Sequence, residues 1–286
     1  MSRGSGRLSG IRLILLLGGL LVLALVILHF LNQRAARQGA PHGRHPPARR
    51  ASPPPTIPEV RVAIVIDDVG FQEEPTLGFA RLGLPITFAV LPHQRYSAGL
   101  ARRLRSMGHE VILHLPMEPL GYPARDPGVG SVREGMSATE IASVVGADLL
   151  EVPGAIGLNN HMGSRATADP ELMRAVLQVC GERGLYFLDS RTTPETVAYH
   201  LALRMGVRAA KRDVFLDDRR ERTYIEGQVR SLLAKARLEG SAVAIGHPDA
   251  ITLDALRRSA DLLSGAGVRV VPASALATGD EQGVKR

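Results

Sequence analysis

The chain is 286 residues long and 45% hydrophobic, which suits a single large core and excludes a disordered chain or a disulfide-stapled miniature. Its formal charge of +7 is misplaced for nucleic acid: residues 1–58 hold eight Arg and no acid, and the other 27 basic and 28 acidic side chains nearly cancel. The single cysteine, Cys180, excludes an intramolecular disulfide and sits in a helical pattern, where it reads as a small buried side chain.

From Leu13 to Leu31 the sequence is LILLLGGLLVLALVILHFL, 19 residues without a formally charged group. A membrane span needs roughly 20 apolar residues and a secretory h-region about 7–15. No Ala-x-Ala spacing follows the run. The expectation is an uncleaved membrane anchor over 13–31 behind a basic segment at 1–12, with a cleaved signal peptide as the alternative. Arg34, Arg37, Arg44, Arg49 and Arg50 after the run outnumber Arg3, Arg7 and Arg12 before it, which by count favours a cytoplasmic body. The chemistry of the body favours the other side. A single-pass protein of the inner (cytoplasmic) membrane with a periplasmic body is therefore expected. Residues 32–58 are rich in Pro, Gly, Ala and Arg and read as an extended tether, with His42 and His45 solvated.

From Glu59 onward short β-branched runs alternate with longer amphipathic ones. Strands are expected at 61–66, 86–91, 110–113, 155–158, 186–188, 214–216, 242–245 and 268–271, the sixth being the weakest. Helical stretches lie between most of them, several stopping at Gly, and Asp169-Pro170-Glu171 is a cap with Pro at the first helical position. This alternation predicts an α/β fold, a mostly parallel sheet or barrel with outer helices. The body is expected over 59–275, with a tail at 276–286.

Most strands deliver a polar residue at the C-terminal end: Asp67-Asp68 in VAIVIDDVG, His114 in EVILHLPMEP, His161 in GLNNHMGS, Asp189 in FLDSRT, Asp217-Asp218 in FLDD and His247 in AIGHP. Active sites of parallel α/β folds collect at that edge. Strand ends where loops begin would be polar anyway, but that does not explain His three times. Imidazole with carboxylate is a ligand set for a divalent transition metal, Zn²⁺ above all. A cation would also relieve the repulsion between Asp67 and Asp68, leaving one carboxylate to ligate and the other to act as a base.

The ordered series VAIVIDDVGF, PITFAVLP, GHEVILHLPMEP, GLNNHMGS, FLDSRT, FLDD and VAIGHP resembles the divergent polysaccharide deacetylase family, a distant branch of the NodB-type carbohydrate esterases. The resemblance spans about residues 59–275. It implies a distorted (β/α) barrel of about seven to eight strands and metal-dependent removal of acetyl groups from a glycan. By match it makes Asp67 the base, Asp68 and His114 metal ligands, His247 the general acid and Asp189 the carboxylate that tunes a site residue. The second His of the family's His-x3-His motif falls on Glu118. His161 could supply the missing imidazole, and Glu118 could do so instead.

Other residues carry weaker signals. Asn159 and Asn160 could position His161 or contact sugar. Arg165 and Arg191 could bind a substrate hydroxyl or carboxylate, or pair with Glu118 or Asp189. Glu118, Asn160 and Arg191 are taken as the substrate-binding set. His93 could line the cleft, His109 closes a helix end, and Asp217-Asp218 could form a second acidic pair or a simple turn. The leading function is a metal-dependent deacetylase of a cell-envelope glycan, with zinc as the expected metal, the glycan and the membrane as partners, and no nucleic acid. The alternative is a non-catalytic glycan-binding or envelope-organising protein on the same fold. A metal phosphoesterase ranks last, for want of a Gly-rich phosphate loop.

Overall fold

The computed structural model describes residues 6–38 and 59–279. It divides into two units, Met1–Thr56 and Ile57–Arg286. In the first, α1 (Gly6–Gln38) is one helix of 33 residues, about 50 Å long at the usual rise. Side chains are described from Gly18 to Arg34, and among the described residues no helix is long and apolar enough to cross a membrane. Most of the expected tether, and the tail beyond residue 279, lie outside the described residues.

The second unit is built on β1 (Val60–Val69), β2 (Thr87–Val90), β3 (Glu110–Met117), β4 (Gly157–Met162), β5 (Tyr186–Asp189), β6 (Ala209–Lys211), β7 (Val214–Phe215), β8 (Ser241–Gly246) and β9 (Val268–Val270). The strand order is β6-β5-β4-β3-β2-β1-β8-β7, with β9 beside the start of β1. All these pairings are parallel. Helices α3 (Ser97–Ser106), α4 (Ala138–Glu151), α5 (Pro170–Arg183), α6 (Ala198–Arg204), α7 (Arg222–Glu239) and α8 (Ala250–Arg258) fill the crossovers; α2 (Thr76–Ala80) and α9 (Ala260–Leu263) are short. This is a distorted (β/α) barrel.

Local chemistry sets the helix ends. Ser137 and Glu140 form a reciprocal capping box on α4. The Asp169 side chain accepts the backbone N–H groups of Glu171 and Leu172 ahead of Pro170. Gly184 and Gly240 close α5 and α7 in the left-handed conformation.

β6 was not expected. Its Ala-Ala-Lys lacks the β-branched pattern that marks a strand, and its neighbours impose the geometry. It matters because it nearly closes the barrel. Arg212 N donates to Asp189 O of β5 and Asp213 N to Val243 O of β8, so two successive residues bond to opposite ends of the sheet.

Period-two alternation divides the core. Val62, Ile64 and Ile66 face the helices, whereas Ala63 and Val65 face the interior with Ala89, Ile112, Leu188, Val243 and Ile245. The C-terminal segment plugs the N-terminal mouth. Val271, Ala273 and Leu276 are buried there, and Thr278 bridges to Ala209. The body therefore extends past the expected boundary at 275, because these side chains cap the interior. Cys180 is buried in α5, and burial pushes its thiol up to about 12.

Candidate active site

Above the apolar interior, at the C-terminal edge, the inward positions turn polar. Asp67 continues the inward series of Ala63 and Val65. Regular alternation would send Asp68 to the opposite face. A register shift between Ile66 and Val69, with Asp68 at φ 55°, breaks the alternation and brings both carboxylates into one site. A left-handed backbone at a non-glycine residue costs of order 1–3 kcal/mol and collects at functional sites. Met162 and Arg191, both lining the same cavity, share it at φ 52° and 51°.

Three donors converge. Asp68 Oδ1 lies 3.1 Å from His114 Nε2 and 2.9 Å from His161 Nδ1, and the two imidazole nitrogens are 3.2 Å apart. A tetrahedral ion with bonds of about 2.0–2.1 Å holds its ligand atoms roughly 3.3 Å apart, so the spacing fits a shared divalent cation. The adjacent strands β3 and β4 make the pairing, with His114 opposite Asn159 and Pro116 opposite His161.

Asn159 determines which nitrogen of His114 faces the triad. Its Nδ2 donates to Asp67 Oδ1 at 2.9 Å and to Ser190 Oγ at 3.1 Å. Its Oδ1 therefore accepts from His114 Nδ1 at 2.8 Å, which leaves the Nε2 lone pair for a metal.

Asp67 Oδ2 stands 3.7 Å from His114 Nε2, outside the triad. Burial lifts the Asp67 carboxyl above the usual carboxylate range, against the opposing pull of His114 and His247. Burial also disfavours charge on Asp68, but when the facing nitrogens of His114 and His161 carry protons their hydrogen bonds outweigh it and hold that carboxyl well below the usual range. The adjacent carboxylates thus differ in kind, one inclined to take a proton and one held ionised.

His247 approaches from the far side, its Nε2 3.8 Å from Asp68 Oδ2. Its Nδ1 meets Asp217 Oδ1 at 3.0 Å, while Asp217 Oδ2 accepts the His247 backbone N–H at 2.7 Å and the Thr252 hydroxyl at 2.8 Å. Gly246 allows this approach, since a Cβ there would come within 3.3 Å of Asp217 Oδ2. Burial works against a charged His247, but Asp217 and the other nearby carboxylates lift its pKa to about 9.

The carboxylate that touches His247 is therefore Asp217, whereas Asp189 bonds the backbone N–H of Arg191 instead. Leu188 faces the interior, so Asp189 next to it faces outward. It accepts from the Arg191 N–H, the Thr196 hydroxyl and the Tyr199 N–H. Glu118 is also displaced from its expected role. It lines a neighbouring cavity with Tyr122, Arg133 and Glu140, accepts the Glu134 N–H at 2.8 Å and faces Arg165 at 3.4 Å. Asn160 borders the site, but its amide is engaged with Ser190 N, Met162 O and Thr192 Oγ1, so it shapes the wall. Arg191 lines the cavity. His93 instead bonds Asp148 at 2.8 Å, and His109 bonds Ala80 O at the end of α2. Arg212, Ser190 and Phe215 were missed as site residues. Arg212 belongs to the β6–β7 junction, where no strand signal drew attention.

The cavity over these groups measures about 400 Å³. A parallel barrel with such a centre at its C-terminal edge has its candidate active site where such folds carry theirs. The chain belongs to the divergent polysaccharide deacetylase family, whose sequence model matches residues 64–277. It is 37% identical over 212 residues to an uncharacterized protein of Haemophilus influenzae Rd, covering 74% of this chain and 72% of that one. It is likewise 37% identical over 198 residues to the uncharacterized protein YibQ of Escherichia coli K12, covering 69% of this chain and 61% of YibQ. The crystal structure of an uncharacterized protein from Agrobacterium tumefaciens C58 superposes with a TM-score of 0.73 at 25% identity, covering 77% of this chain and 90% of that one.

Proposed function

We propose that the protein is a metal-dependent hydrolase that removes acetyl groups from a cell-envelope glycan. The observation that carries this reading is the separation of roles around one point. Asp68, His114 and His161 present three donors, while Asp67 and His247 flank them without belonging to the set. A divalent metal, zinc by the chemistry of its donors, would be held by Asp68, His114 and His161. When bound it supplies positive charge that polarises an acetyl carbonyl and eases deprotonation of water. Asp67 takes the proton of the attacking water, its carboxylate oriented by Asn159. His247, kept protonated at neutral pH by Asp217, gives a proton to the departing amine or alcohol.

Purified protein, loaded with zinc and incubated with acetylated cell-wall glycans, should release acetate, and chelation should abolish the release. Glycan binding without release from any acetylated glycan would instead support the non-catalytic glycan-binding reading.

The N-terminal helix is proposed as a single anchor in the inner membrane over 13–31, with the body in the periplasm. Every large apolar side chain from Leu20 to Leu31 is at least 47% exposed, around the whole circumference of α1. Lipid would remove that surface from water at a gain of about 25 cal/mol per Å². An alkaline phosphatase fusion at residue 60 should be active, and a mature protein starting beyond residue 31 would defeat the anchor.

A further inference from the structure

We propose that the site takes an acetylated sugar that also bears an anionic group, carboxylate or phosphate, held by Arg191 and Arg212. This rests on the deacetylase reading and narrows its substrate.

Both side chains line the cavity that contains Asp68, His114, His161 and His247. Among the described residues neither guanidinium pairs with a carboxylate. Arg165, by contrast, faces Glu118 and Glu134, and Arg220 is paired with Asp249. Arg212 is half-buried. It spends Nε on Ser190 O at 2.7 Å and Nη2 on Arg191 O at 2.8 Å, leaving Nη1 without an acceptor among the described residues. Burial and the neighbouring Arg191 disfavour its charge, and Asp189, Asp67 and Asp213 offset this in part. An anion bound between the two guanidinium groups would relieve their mutual repulsion.

Arg191 is held there deliberately. Its backbone sits at φ 51°, a conformation costing of order 1–3 kcal/mol. The loop is pinned from both sides: Asp189 Oδ1 accepts the Arg191 N–H at 2.8 Å, and Arg212 donates to its carbonyl. That gives the outward-facing Asp189 a positioning role. The Arg212 guanidinium also stacks over Phe215, 5.0 Å from the ring centroid, which fixes its plane. Planar guanidinium groups suit carboxylate and phosphate oxygens. Asp218, exposed on the same rim, restricts the anion to the arginine side.

The test uses the full-length, zinc-loaded protein in detergent micelles and reads dissociation constants by calorimetry. One pair of probes is the disaccharide of N-acetylglucosamine and N-acetylmuramic acid, and its methyl ester. The second pair is N-acetylglucosamine 1-phosphate and N-acetylglucosamine. The anionic member of at least one pair should bind about tenfold tighter at low salt, with the ratio shrinking in high salt. The pair with the larger ratio identifies the anion. In Arg191→Ala the ratio should collapse towards one, and Arg212→Lys should lower it too. Equal binding within both pairs, no binding of any probe, or a preference that survives in Arg191→Ala (the mark of direct attraction to the metal) would overturn the inference. Acetate release is scored separately. An intact ratio without release from any probe sinks the deacetylase reading alone, and release with ratios of one sinks this inference alone.

Discussion

Asp217 grips His247 at two points, with Oδ1 on the imidazole Nδ1 at 3.0 Å and Oδ2 on the backbone N–H at 2.7 Å. The residues come from the ends of neighbouring strands, β7 and β8, 30 positions apart. The contact fixes the ring so that Nε2 faces Asp68, one of the three proposed metal ligands, and it favours the protonated imidazole.

His247 must carry its proton to donate it. On the alkaline side activity should therefore fall as pH rises through about 9, the acid side being set by protonation of Asp67. Asp217→Asn removes the negative partner, so the pKa drops towards the ordinary 6.5 and the falling limb moves to lower pH. At pH 8 the variant should lose about tenfold or more of its acetate-release rate. The same lifted pKa stabilises the fold fully below pH 6.5, and that contribution is lost as pH rises through about 9. An unshifted rate profile in Asp217→Asn would remove His247 from the acid role.

The two adjacent carboxylates should give different phenotypes. Asp67→Asn should retain metal and lose activity by about 10²–10⁴-fold, since it removes only a proton acceptor. Asp68→Asn should lose metal and activity together. Elemental analysis beside an acetate assay decides it, and matching metal losses in both variants would contradict the division of roles.

His161 and Glu118 competed for the third ligand position in the sequence. The structure brings His161 to the triad and leaves Glu118 against Arg165. His161→Ala should therefore abolish stoichiometric zinc, whereas Glu118→Gln should keep it. Zinc titration with a chromophoric chelator measures both, and loss of zinc in Glu118→Gln would reverse the ligand assignment.

Asn159 bonds both His114, a proposed ligand, and Asp67, the proposed base. Asn159→Ala leaves His114 Nδ1 and Asp67 Oδ1 without that partner in a buried site. Metal affinity should fall about 10–100-fold, and folding stability by about 1–3 kcal/mol. Chelator competition and denaturant unfolding give the two values. Unchanged affinity would show that the His114 tautomer does not depend on Asn159.

Gly130 tests the packing of the loop that follows β3. It sits at φ 79°, and a Cβ there would lie 2.3 Å from Asp148 Oδ1, the oxygen that bonds His93. Gly130→Ala should cost more than about 1 kcal/mol through backbone strain and collision with a buried carboxylate. Denaturant midpoints compare it with Gly128→Ala, where φ is also positive (98°) but no atom crowds the Cβ position. Equal losses would mean that only the backbone conformation matters.

Much of this was legible in the sequence because local rules govern it. β-branched runs marked eight of the nine strands in the described body, and Asp, Asn and His at their ends marked the edge that carries the candidate site. Period-two alternation sends Asp67 inward with Ala63 and Val65, and by the same rule turns Asp189 outward beside Leu188. The short β6 was not legible, because three residues without β-branching carry no signal until β5 and the Thr278 segment pair with them. With it went Arg212.

The sequence by itself determined the barrel, the ring of polar strand ends and the types of ligand available, since these follow from periodicity and side-chain chemistry along the chain. Tertiary structure alone decided which of those groups meet. A bulge at Asp68 turned a second carboxylate inward, the β3–β4 register brought His161 to His114, and the curl of the sheet set Asp217 against His247. Each depends on strands distant in sequence, whose long-range pairing and closure orient a side chain to within an ångström. Residue type and spacing do not encode that orientation locally.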